Sequence, residues 1–558
     1  MTTSNFADVI IVNGKIITLD PSQPIATALA LQGGRVLAVG AEANVAAHRG
    51  PDTKIIDAKR NTVLPGFSEN HMHIFTGAAE LDHLQLGGVH GLEALTKAVR
   101  AYAAGRPDQP VLFTQGADYA ILGPDENLDR HKLDAIIKDQ AILISAPDHH
   151  TSWANTKALE MCDILHGREL NAGNEVVMGK DGLATGVLLE MEAFGPVQTA
   201  GGFDRYRLGL STGAEPVPFP DEATFMIDMD VMRIGLNYCA AHGITSVHNM
   251  DGNLYQLQLL EAIEKADGFL PCRVKIPFHY KKYMPLEALD KAVEMTERYN
   301  SDFISCGMVK VFYDGVLDSY TAVMIEPYAN KLDTVGTGLF EPDEFAKVAV
   351  AADVRGLQIA VHAIGDGAVR AALDGYEAAQ KANGTRDSRH RIEHIEVVHP
   401  DDISRFKTLG VVASMQPPHP PGAMDFPLEP TISNIGAARW RYSYAWRTLK
   451  NAGAHIVFAS DWPVSDISII RGIQAAVTRK KWSAADPDQS FSLHEALKAY
   501  CVEGAYTEFQ EHQKGQIRPG FVADIVILDG DIEATKRAQL HTLGIATTIC
   551  GGRVTFSK

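Results

Sequence analysis

Short apolar runs that end in polar residues recur through the central part of the chain, and stretches with helical periodicity separate them. The eight runs are TVLPGFSENHMH, ITSVHNMDG, CRVKIPFHY, GMVKVFYDG, LQIAVHAIGD, HRIEHIEVV, VVASMQPPHP and AHIVFASDWPV. Residues 221–242, 342–355 and 367–382 carry apolar side chains at three- and four-residue spacing, which predicts helices. Strands that alternate with helices are typical of a parallel α/β sheet, and eight repeats predict a (β/α)8 TIM barrel.

The two ends of the chain predict a different structure. Residues 8–40 contain short β-branched runs interrupted by Asn13-Gly14 and by a Gly-Gly pair, which are typical of hairpin turns. Residues 523–557 show the same pattern, and ICGGRVTF repeats the Gly-Gly-Arg-Val of the earlier LQGGRVLAV. Because isolated hairpins are only marginally stable, we expect both ends to form one small β-sandwich. Two unrelated sheets are the alternative.

An insertion interrupts the barrel pattern between its first and second strands. About 170 residues separate these strands, whereas one βα unit needs only about 30. The insertion has apolar runs of its own (PVLFTQGAD, QAILISAPD) and a helix-like TSWANTKALEM, so we expect a cap or lid subdomain, with a surface decoration as the alternative. The predicted domains are residues 1–64 (first part of the sandwich), 65–490 (barrel, with 75–220 as the inserted lid) and 491–558 (last helix and second part of the sandwich).

Charge and composition narrow the class of partner. The chain has 51 Lys+Arg against 69 Asp+Glu, a net charge of -18, and 46% hydrophobic residues. This acidic balance offers no basic surface for nucleic acid, and no stretch reaches the ~18 uncharged apolar residues of a membrane span. The six cysteines form no CxxC pair, and the N-terminus lacks the pattern of a signal peptide. We therefore expect a cytoplasmic protein without a nucleic-acid or membrane partner, with its oligomeric state open to a homo-oligomer.

Side chains that can bind a metal lie at the carboxyl ends of several predicted barrel strands. His71 and His73 form an HxH pair, so both imidazoles point to the same side of a strand. Chance alone gives roughly 0.8 such pairs in a chain of this histidine content, so the pair by itself is no evidence of a metal site. Its position at the end of the first predicted barrel strand is the evidence. Each further candidate taken singly is more often a structural polar residue. Together with the pair they occupy strands 1, 4, 5, 6 and 8, the additional residues being Lys310, His362, His394 and Asp461.

Lys310 needs a separate explanation, because an ammonium group repels a metal cation. A neutral lysine amine takes up carbon dioxide as a carbamate, whose two oxygens are hard anionic ligands able to bridge two metal ions. This interpretation predicts a binuclear centre with a carboxylated lysine. The alternative is an ammonium group paired with Asp314 or Asp461.

The chain resembles the amidohydrolase superfamily and, within it, the amidohydrolase-3 group of N-substituted formamide deformylase-like and YtcJ-like proteins. The resemblance runs nearly end to end, through ADVIIVNGKIIT, LPGFSENHMH, HHTSWANTKAL, GLATGVLLE, GITSVHNM, KVFYDGVLDSYTA, VHAIGDGAVR, RIEHIEVV, FASDWPV and PGFVADIVILDGD. It implies that one divalent ion, with zinc as the expected metal, is held by His71, His73 and Asp461. It also implies a second ion on His362 and His394, with carboxylated Lys310 between the two ions.

The activity implied by this resemblance is that of a metal-dependent amidohydrolase acting on carbon-nitrogen bonds other than peptide bonds. Two ions that share a water lower its pKa toward about 7, and the metal-bound hydroxide attacks an amide-type carbonyl. Asp461 then passes the proton to the leaving amine. His150, in the insertion, and Gln416, at the end of strand 7, are candidate substrate contacts. A local helix cap and a satisfied core amide are their respective alternatives.

Two departures from the family pattern bear on the substrate. Glu69-Asn70 precede the HxH pair where Asp-Ser or Asp-Thr is common, and DSYTA (318–322) replaces Gly-Ser-Arg-Thr-Ala, which removes an arginine that would recognise an anion. Two other functions stay open. A mononuclear aminohydrolase that deaminates a ring would not need Lys310, and a non-catalytic scaffold of the same fold would be expected to lose ligands.

Overall fold

The chain divides into two units, one built from Met1–Ile74 together with Pro220–Lys558 and the other from Phe75–Phe219. The computed structural model describes residues 6–123, 126–147, 149–171, 173–424 and 426–558. The first five residues of the predicted sandwich, and Asp148 beside His150, lie outside the described residues.

The strands are numbered in chain order. Those up to the end of the smaller unit are β1 (Val9–Val12), β2 (Lys15–Ile17), β3 (Ile25–Ala26), β4 (Ala28–Gln32), β5 (Arg35–Gly40), β6 (Lys54–Asp57), β7 (Thr62–Pro65), β8 (Phe67–Met72), β9 (Leu84–Gln85), β10 (Val111–Gln115), β11 (Ala141–Ser145), β12 (Thr151–Ala154), β13 (Glu175–Met178) and β14 (Ala184–Leu189). The remaining strands are β15 (Ile244–Asn249), β16 (Arg273–Lys275), β17 (Phe278–His279), β18 (Ile304–Ser305), β19 (Met308–Phe312), β20 (Gln358–Ala363), β21 (Arg391–His394), β22 (Val412–Met415), β23 (His455–Phe458), β24 (Ile525–Leu528), β25 (Ile545–Cys550) and β26 (Arg553–Ser557).

The α-helices are numbered in the same way. The first ten are α1 (Glu42–Val45), α2 (Ile74–Glu80), α3 (Leu92–Ala104), α4 (Arg130–Ile136), α5 (Thr156–Met161), α6 (Met191–Ala200), α7 (Asp204–Ser211), α8 (Glu222–Ala241), α9 (Leu254–Asp267) and α10 (Leu289–Arg298). The others are α11 (Pro342–Val354), α12 (Asp366–Asn383), α13 (Ile403–Leu409), α14 (Thr431–Ile435), α15 (Ala437–Trp440), α16 (Trp446–Asn451), α17 (Ile469–Val477), α18 (Leu493–Ala499) and α19 (Val502–Thr507). The three helices predicted from periodicity correspond to α8, α11 and α12. A helix begins after residue 491 as predicted, since Ser492 caps α18 through a capping box with Glu495, and the short helix α19 follows it.

Two all-parallel sheets form the centre of the larger unit. One has the strand order β8-β15-β16-β18 and the other the order β17-β19-β20-β21-β22-β23. Each of the eight apolar runs contributes a strand, and the third run contributes β16 to one sheet and β17 to the other. The ends of β8 and β23 meet, since Asp461 N donates to His71 O at 2.9 Å and His73 N donates to Trp462 O at 2.7 Å. Parallel order places the carboxyl ends of these strands on one side.

Strands from both termini pair with each other in the same unit. One sheet has the order β26-β25-β24-β7-β2-β3, in which β7 lies antiparallel to β24, and a second has the order β5-β4-β1-β6. Side chains of both sheets share one buried apolar cluster, with Ile11 and Leu29 from one sheet and Val63 and Ile525 from the other. Burial of these faces against each other removes apolar surface that each sheet alone would leave exposed to water.

The predicted hairpin at Asn13-Gly14 is wrong. Strand β1 pairs with β4 and β6, whereas β2 pairs with β3 and β7, so these two residues carry the chain from one sheet to the other. Asn13 has φ 53°, a left-handed conformation that asparagine tolerates better than most residues. A turn residue of this kind marks a change of direction and does not specify which strands pair.

The smaller unit has a six-stranded sheet of its own, with the order β13-β14-β12-β11-β10-β9. Its two faces bury separate apolar clusters, because Val111 and Leu143 contribute to one cluster and their strand neighbours Leu112 and Ile142 to the other. The helix predicted over TSWANTKALEM is wrong in its first part, since β12 occupies Thr151–Ala154 before α5 begins. No helix in the described ranges of the chain is long and apolar enough to cross a bilayer.

Candidate metal centre

Several of the predicted ligands converge on the carboxylate of Asp461. His71 Nε2 and His73 Nε2 each lie 3.2 Å from Asp461 Oδ1. His394 Nδ1 lies 3.8 Å from Asp461 Oδ2, and one ligand atom each of His71, His394 and Asp461 all lie within 4.8 Å of one another. These side chains stand at the carboxyl ends of β8, β21 and β23, which explains how residues so distant in sequence meet. All of them are buried.

His362 extends this cluster along β20. Its ring centroid lies 4.5 Å from that of His394, and the His394 centroid lies 4.8 Å from that of His71. His362 Nε2 is 3.1 Å from the carbonyl oxygen of Gly315 and 3.7 Å from Asp314 Oδ1. The imidazoles of His362 and His394, on the neighbouring strands β20 and β21, and that of His71 on β8 of the other sheet therefore lie close together.

Asp314 supports the loop beside His362. Its carboxylate accepts hydrogen bonds from three backbone N–H groups, those of Val323 (2.9 Å), Ile364 (3.0 Å) and Gly365 (3.0 Å). Burial raises the pKa of Asp314 to about 7, although these hydrogen bonds favour its charged form. Asp314 is thus engaged with the backbone and not with Lys310.

Lys310 is fully buried on β19, and its Nζ has no hydrogen-bond partner among the described residues. The predicted alternative, an ammonium group paired with Asp314 or Asp461, is not formed by these side chains. Burial lowers the pKa of the Lys310 amine to about 8, while the carboxylates of Glu393 and Asp461 act in the opposite direction. A larger neutral fraction at neutral pH follows, and the neutral amine is the form that adds to carbon dioxide.

Carboxylates orient the HxH pair from behind. His71 Nδ1 lies 2.6 Å from Glu393 Oε2, and His73 Nδ1 lies 2.6 Å from Asp251 Oδ1. Each contact keeps a proton on Nδ1 and orients the ring so that Nε2 faces Asp461. Burial opposes the protonation of His73, yet the charge and hydrogen bond of Asp251, aided by Asp461, raise its pKa to about 9.

Arg391 holds Glu393 in its ionised form. Its guanidinium donates to both carboxylate oxygens of Glu393, at 2.5 and 2.9 Å, and to the backbone oxygen of Asn70 at 2.6 Å. Burial alone would raise the pKa of Glu393, but the charges of Arg391 and His71 hold it well below its usual range. A buried, charged carboxylate is therefore available to polarise His71.

The segment that follows β22 contributes two more polar side chains to this end of the sheet. Gln416 Oε1 lies 3.0 Å from His394 Nδ1, and Gln416 Nε2 has no partner among the described residues. His419 Nε2 lies 3.9 Å from Asp461 Oδ2, and its ring is parallel to that of His394 at 6.1 Å between centroids. His419 Nδ1 lies 3.6 Å from Glu396 Oε1. The predicted candidate Gln416 thus contacts His394.

Two of the converging residues have left-handed backbones. His394 has φ 75° and Asp461 has φ 61°, a region that residues with a Cβ adopt at a cost of about 1–3 kcal/mol each. The hydrogen bond from Asp461 N to His71 O helps to hold this conformation. Strain of this kind is characteristic of functional sites, where a side chain must be aimed at a particular point.

The two residues that depart from the family pattern before the HxH pair tie β8 to β23. Glu69 Oε1 accepts from Ser460 N at 2.9 Å, and Asn70 Nδ2 donates to Phe458 O at 2.8 Å. Glu69 is fully buried, and burial raises its pKa to about 8. Both side chains therefore serve the geometry of the strand that carries His71.

The DSYTA segment (318–322) also makes local contacts in the described structure. Asp318 Oδ1 accepts a hydrogen bond from the hydroxyl of Thr431, and Thr321 Oγ1 accepts from Val316 N at 2.9 Å. Tyr320 packs edge to face on Tyr328 with ring centroids 5.1 Å apart. These contacts build the loop between β19 and α11 without the arginine of the family pattern.

His150 belongs to the smaller unit, where its Nδ1 lies 2.8 Å from Glu190 Oε2. Its predicted role as a substrate contact stays a prediction. Sequence reasoning missed Asp251, Glu393 and His419, although each stands at or just after the carboxyl end of a predicted strand. That position was the signal that would have found them.

The donor set suits divalent cations. Nitrogen and oxygen atoms bound about 2.0–2.2 Å from one ion are separated by roughly 3.0–3.4 Å, and His71, His73 and Asp461 already show 3.2 Å separations. Asp461 Oδ1, buried and without a hydrogen-bond donor among the described residues, is the kind of atom that a cation would satisfy. Imidazole and carboxylate ligands accept zinc, manganese or iron.

Fold and side chains together place a candidate cation site at the carboxyl ends of parallel strands. Comparison with known families identifies the class of protein. The model of the amidohydrolase family matches residues 54–556. This chain therefore belongs to the amidohydrolase family.

Curated relatives align over nearly the whole chain. Protein LONG AFTER FAR-RED 3 of Arabidopsis thaliana is 28% identical, covering 94% of this chain and 87% of its own length. Putative amidohydrolase YtcJ of Bacillus subtilis is 27% identical, covering 91% of both chains. N-substituted formamide deformylase of Arthrobacter pascens is 23% identical, covering 99% of this chain and 98% of its own length.

Solved structures show the same fold. An uncharacterised metal-dependent hydrolase from Pyrococcus horikoshii superposes with a TM-score of 0.72 at 24% identity, over 95% of this chain and 99% of that one. A zinc-bound adenosine deaminase from Xanthomonas campestris superposes with a TM-score of 0.53 at 14% identity, over 99% of this chain and 93% of that one.

Proposed function

We propose that this protein is a metal-dependent hydrolase that cleaves a non-peptide, amide-type carbon-nitrogen bond of a small molecule. The observation that carries the proposal is the convergence of His71 and His73 on Asp461 Oδ1 beside the buried, unpaired amine of Lys310. Membership of the amidohydrolase family and the name of the formamide deformylase support the same reaction class.

The architecture that we propose is an eight-stranded barrel made from the two parallel sheets. Two observations support closure: the third apolar run belongs to both sheets, and backbone hydrogen bonds join the ends of β8 and β23. The paired terminal strands would form the adjoining β-sandwich, and residues 75–219 the lid. In such barrels catalytic groups lie at the carboxyl ends of the strands, as the histidines do here.

The proposal includes two cation positions. His71, His73 and Asp461 would hold one ion, His362 and His394 a second, and Lys310, carboxylated by carbon dioxide, would bridge them. Zinc is the expected metal because imidazole nitrogens dominate the set. When bound, such ions activate a water for attack and polarise the carbonyl of the substrate.

Asp461 is the proton carrier in this proposal. Oδ1 faces the two Nε2 atoms of the HxH pair, whereas Oδ2 faces His394 and His419. A carboxylate in this position accepts a proton from the attacking water and returns it to the departing nitrogen. The overall reaction adds one water across the carbon-nitrogen bond and releases a carboxylic acid and an amine. Neighbouring His71 and His73 hold the pKa of Asp461 well below its usual range against the effect of burial.

Other residues position this machinery. Gln416 would hold His394 through its Nδ1, and Glu393 and Asp251 would do the same for His71 and His73. His150 is proposed as a further substrate contact. The absence of the family arginine in DSYTA (318–322) favours a substrate without an anionic group at that position.

A substrate screen on purified protein tests the proposal. The protein would be supplied with zinc or manganese and incubated with N-formyl amines, N-acyl amines, carbamates and cyclic imides, and both amine and ammonia would be measured. We expect amine release that the Asp461→Asn variant lacks. Release of ammonia from a ring with one metal per chain would support the mononuclear deaminase instead, and a protein that binds no metal would support the scaffold.

A further inference from the structure

A polar cavity lies beside β16 and β18, and none of the predicted metal ligands lines it. It has a volume of about 190 Å³, and its walls include Arg273, Lys275, Cys306, Glu508 and Lys514. Arg273 is the first residue of β16, and Cys306 precedes β19, the strand on which Lys310 follows. Lys275 is the last residue of β16, and Glu508 and Lys514 come from the segment after α19.

Lys275 is the unusual residue of this cavity. Only 8% of it is exposed, and its ammonium forms no hydrogen bond or ion pair with any residue in the described part of the chain. The other two cations of the walls are paired, because Arg273 donates to both oxygens of Asp524 (2.8 and 3.1 Å) and Lys514 Nζ lies 2.5 Å from Glu508 Oε2. The ammonium of Lys275 therefore borders the cavity without a direct partner among the described residues, where it is available to a bound anion.

One of the two carboxylates of the lining, that of Glu508, is already engaged. Glu508 Oε2 pairs with Lys514, and Glu508 Oε1 lies 2.7 Å from His248 Nε2. Lys514 in turn donates to Ser246 Oγ at 2.8 Å. The remaining acidic residue of the lining, Asp302, is exposed at its rim. Lys275 is therefore the one cation of the described lining that no carboxylate pairs with directly, and it faces the cavity.

We propose that this cavity is a binding site for a small oxyanion, held by Lys275 Nζ with Arg273 and Lys514 supplying further positive potential. A volume of about 190 Å³ falls below the roughly 300 Å³ at which pockets for drug-sized ligands begin, so an ion of the size of phosphate, sulfate or a short carboxylate is the class that fits. Lysine binds such anions as a point charge. The site is independent of the proposed catalytic reaction.

Thermal unfolding in the presence of defined anions tests this site. The metal-loaded, full-length protein would be titrated with inorganic phosphate, sulfate or acetate, with chloride at matched ionic strength as the reference. We expect at least one oxyanion to raise Tm saturably by about 2 °C or more. The comparison between phosphate, sulfate and acetate distinguishes a tetrahedral inorganic ligand from a carboxylate.

Variants locate the effect. Lys275→Met should abolish the anion-dependent rise, Lys275→Arg should retain at least part of it, and Lys265→Met, at an exposed position on α9, should leave it unchanged. If the wild-type protein responds to no oxyanion beyond the chloride reference, or if Lys275→Met responds as the wild type does, the proposal is wrong. Should Lys275→Met fail to fold, the wild-type titration and the Lys275→Arg variant still decide the question.

Discussion

His73 Nδ1 lies 2.6 Å from Asp251 Oδ1, and on its other side His73 Nε2 lies 3.2 Å from Asp461 Oδ1. One imidazole thus connects the end of β15 with the end of β23. The carboxylate of Asp251 sets the tautomer of a predicted metal ligand without reaching the cation position itself.

Replacement of Asp251 should weaken metal binding. We expect Asp251→Ala to lower metal affinity about 10- to 100-fold, because His73 loses the partner that orients its ring and raises its basicity. Asp251→Asn should have a smaller effect, since an amide oxygen still accepts from Nδ1–H. Metal affinity would be measured by competition with a fluorescent chelator.

Asp228 provides a matched control for this prediction. It is a buried aspartate of the same unit, and its carboxylate accepts from Tyr255 Oη at 2.6 Å. Asp228→Asn should lower stability and leave metal affinity unchanged. Equal metal affinity in the wild type and in Asp251→Ala would show that the contact has no role in metal binding.

Asp461→Asn should lower kcat about 10²- to 10⁴-fold on whatever substrate the screen identifies, because an amide neither accepts nor returns the proton. Asp466→Asn is the control, since Asp466 lies in the following loop in a partly exposed ion pair with Arg471 and should change kcat less than twofold. A kcat for Asp461→Asn within a few-fold of the wild type would remove Asp461 from the mechanism.

The metal-competent residues were predictable because they lie at the carboxyl ends of predicted strands. His71, His362, His394 and Asp461 each follow an apolar run, and parallel strands bring such ends together whatever their distance in sequence. Asp251 and Glu393 also lie at strand ends but were missed. A single carboxylate at a strand end is usually a cap, and only its contact with an imidazole shows that it supports a metal ligand. The burial and isolation of Lys310 Nζ depend on neighbours from other strands, which no local pattern contains.

Strand pairing at the termini was predictable only in part. The Gly-Gly-Arg-Val repeat marks the turns at Gly33-Gly34 and Gly551-Gly552, and each joins antiparallel neighbours. Asn13-Gly14 has the same local chemistry but joins strands of different sheets. The partner of a strand is determined by which apolar faces pack together, and this is a property of the tertiary structure.

Gly66 should not tolerate a side chain. A Cβ at this position would lie 2.2 Å from Thr245 Oγ1 and 2.4 Å from Thr245 Cγ2, so β8 and β15 would have to separate. We expect Gly66→Ala to cost about 1–3 kcal/mol of stability, measured as a lower Tm. Gly195→Ala is the control, since no atom lies within 4 Å of a Cβ there and alanine favours the helix. An unchanged Tm for Gly66→Ala would show that the two strands are less tightly packed than described.

Acid should destabilise the protein partly through Asp353. Burial opposes ionisation, but hydrogen bonds from His390 and Asn383 and the charge of Arg386 lower the pKa of Asp353 to about 2. Because the folded pKa lies below the value of 3.8 in the unfolded chain, the stabilisation is complete above about pH 4 and is lost as the pH falls toward 2. Asp353→Asn should therefore be about 1–2 kcal/mol less stable near pH 7. Its stability should also fall less steeply below pH 4, which urea unfolding at several pH values would reveal, and parallel pH profiles would contradict this assignment.

The metal content of the purified protein tests the central claim most directly. After growth with added zinc and removal of loosely bound ions, elemental analysis by mass spectrometry should give two divalent ions per chain, and Lys310→Met should retain one or fewer. A wild-type protein that holds no divalent ion under these conditions would contradict the account of His71, His73, His362, His394, Lys310 and Asp461 as a metal centre.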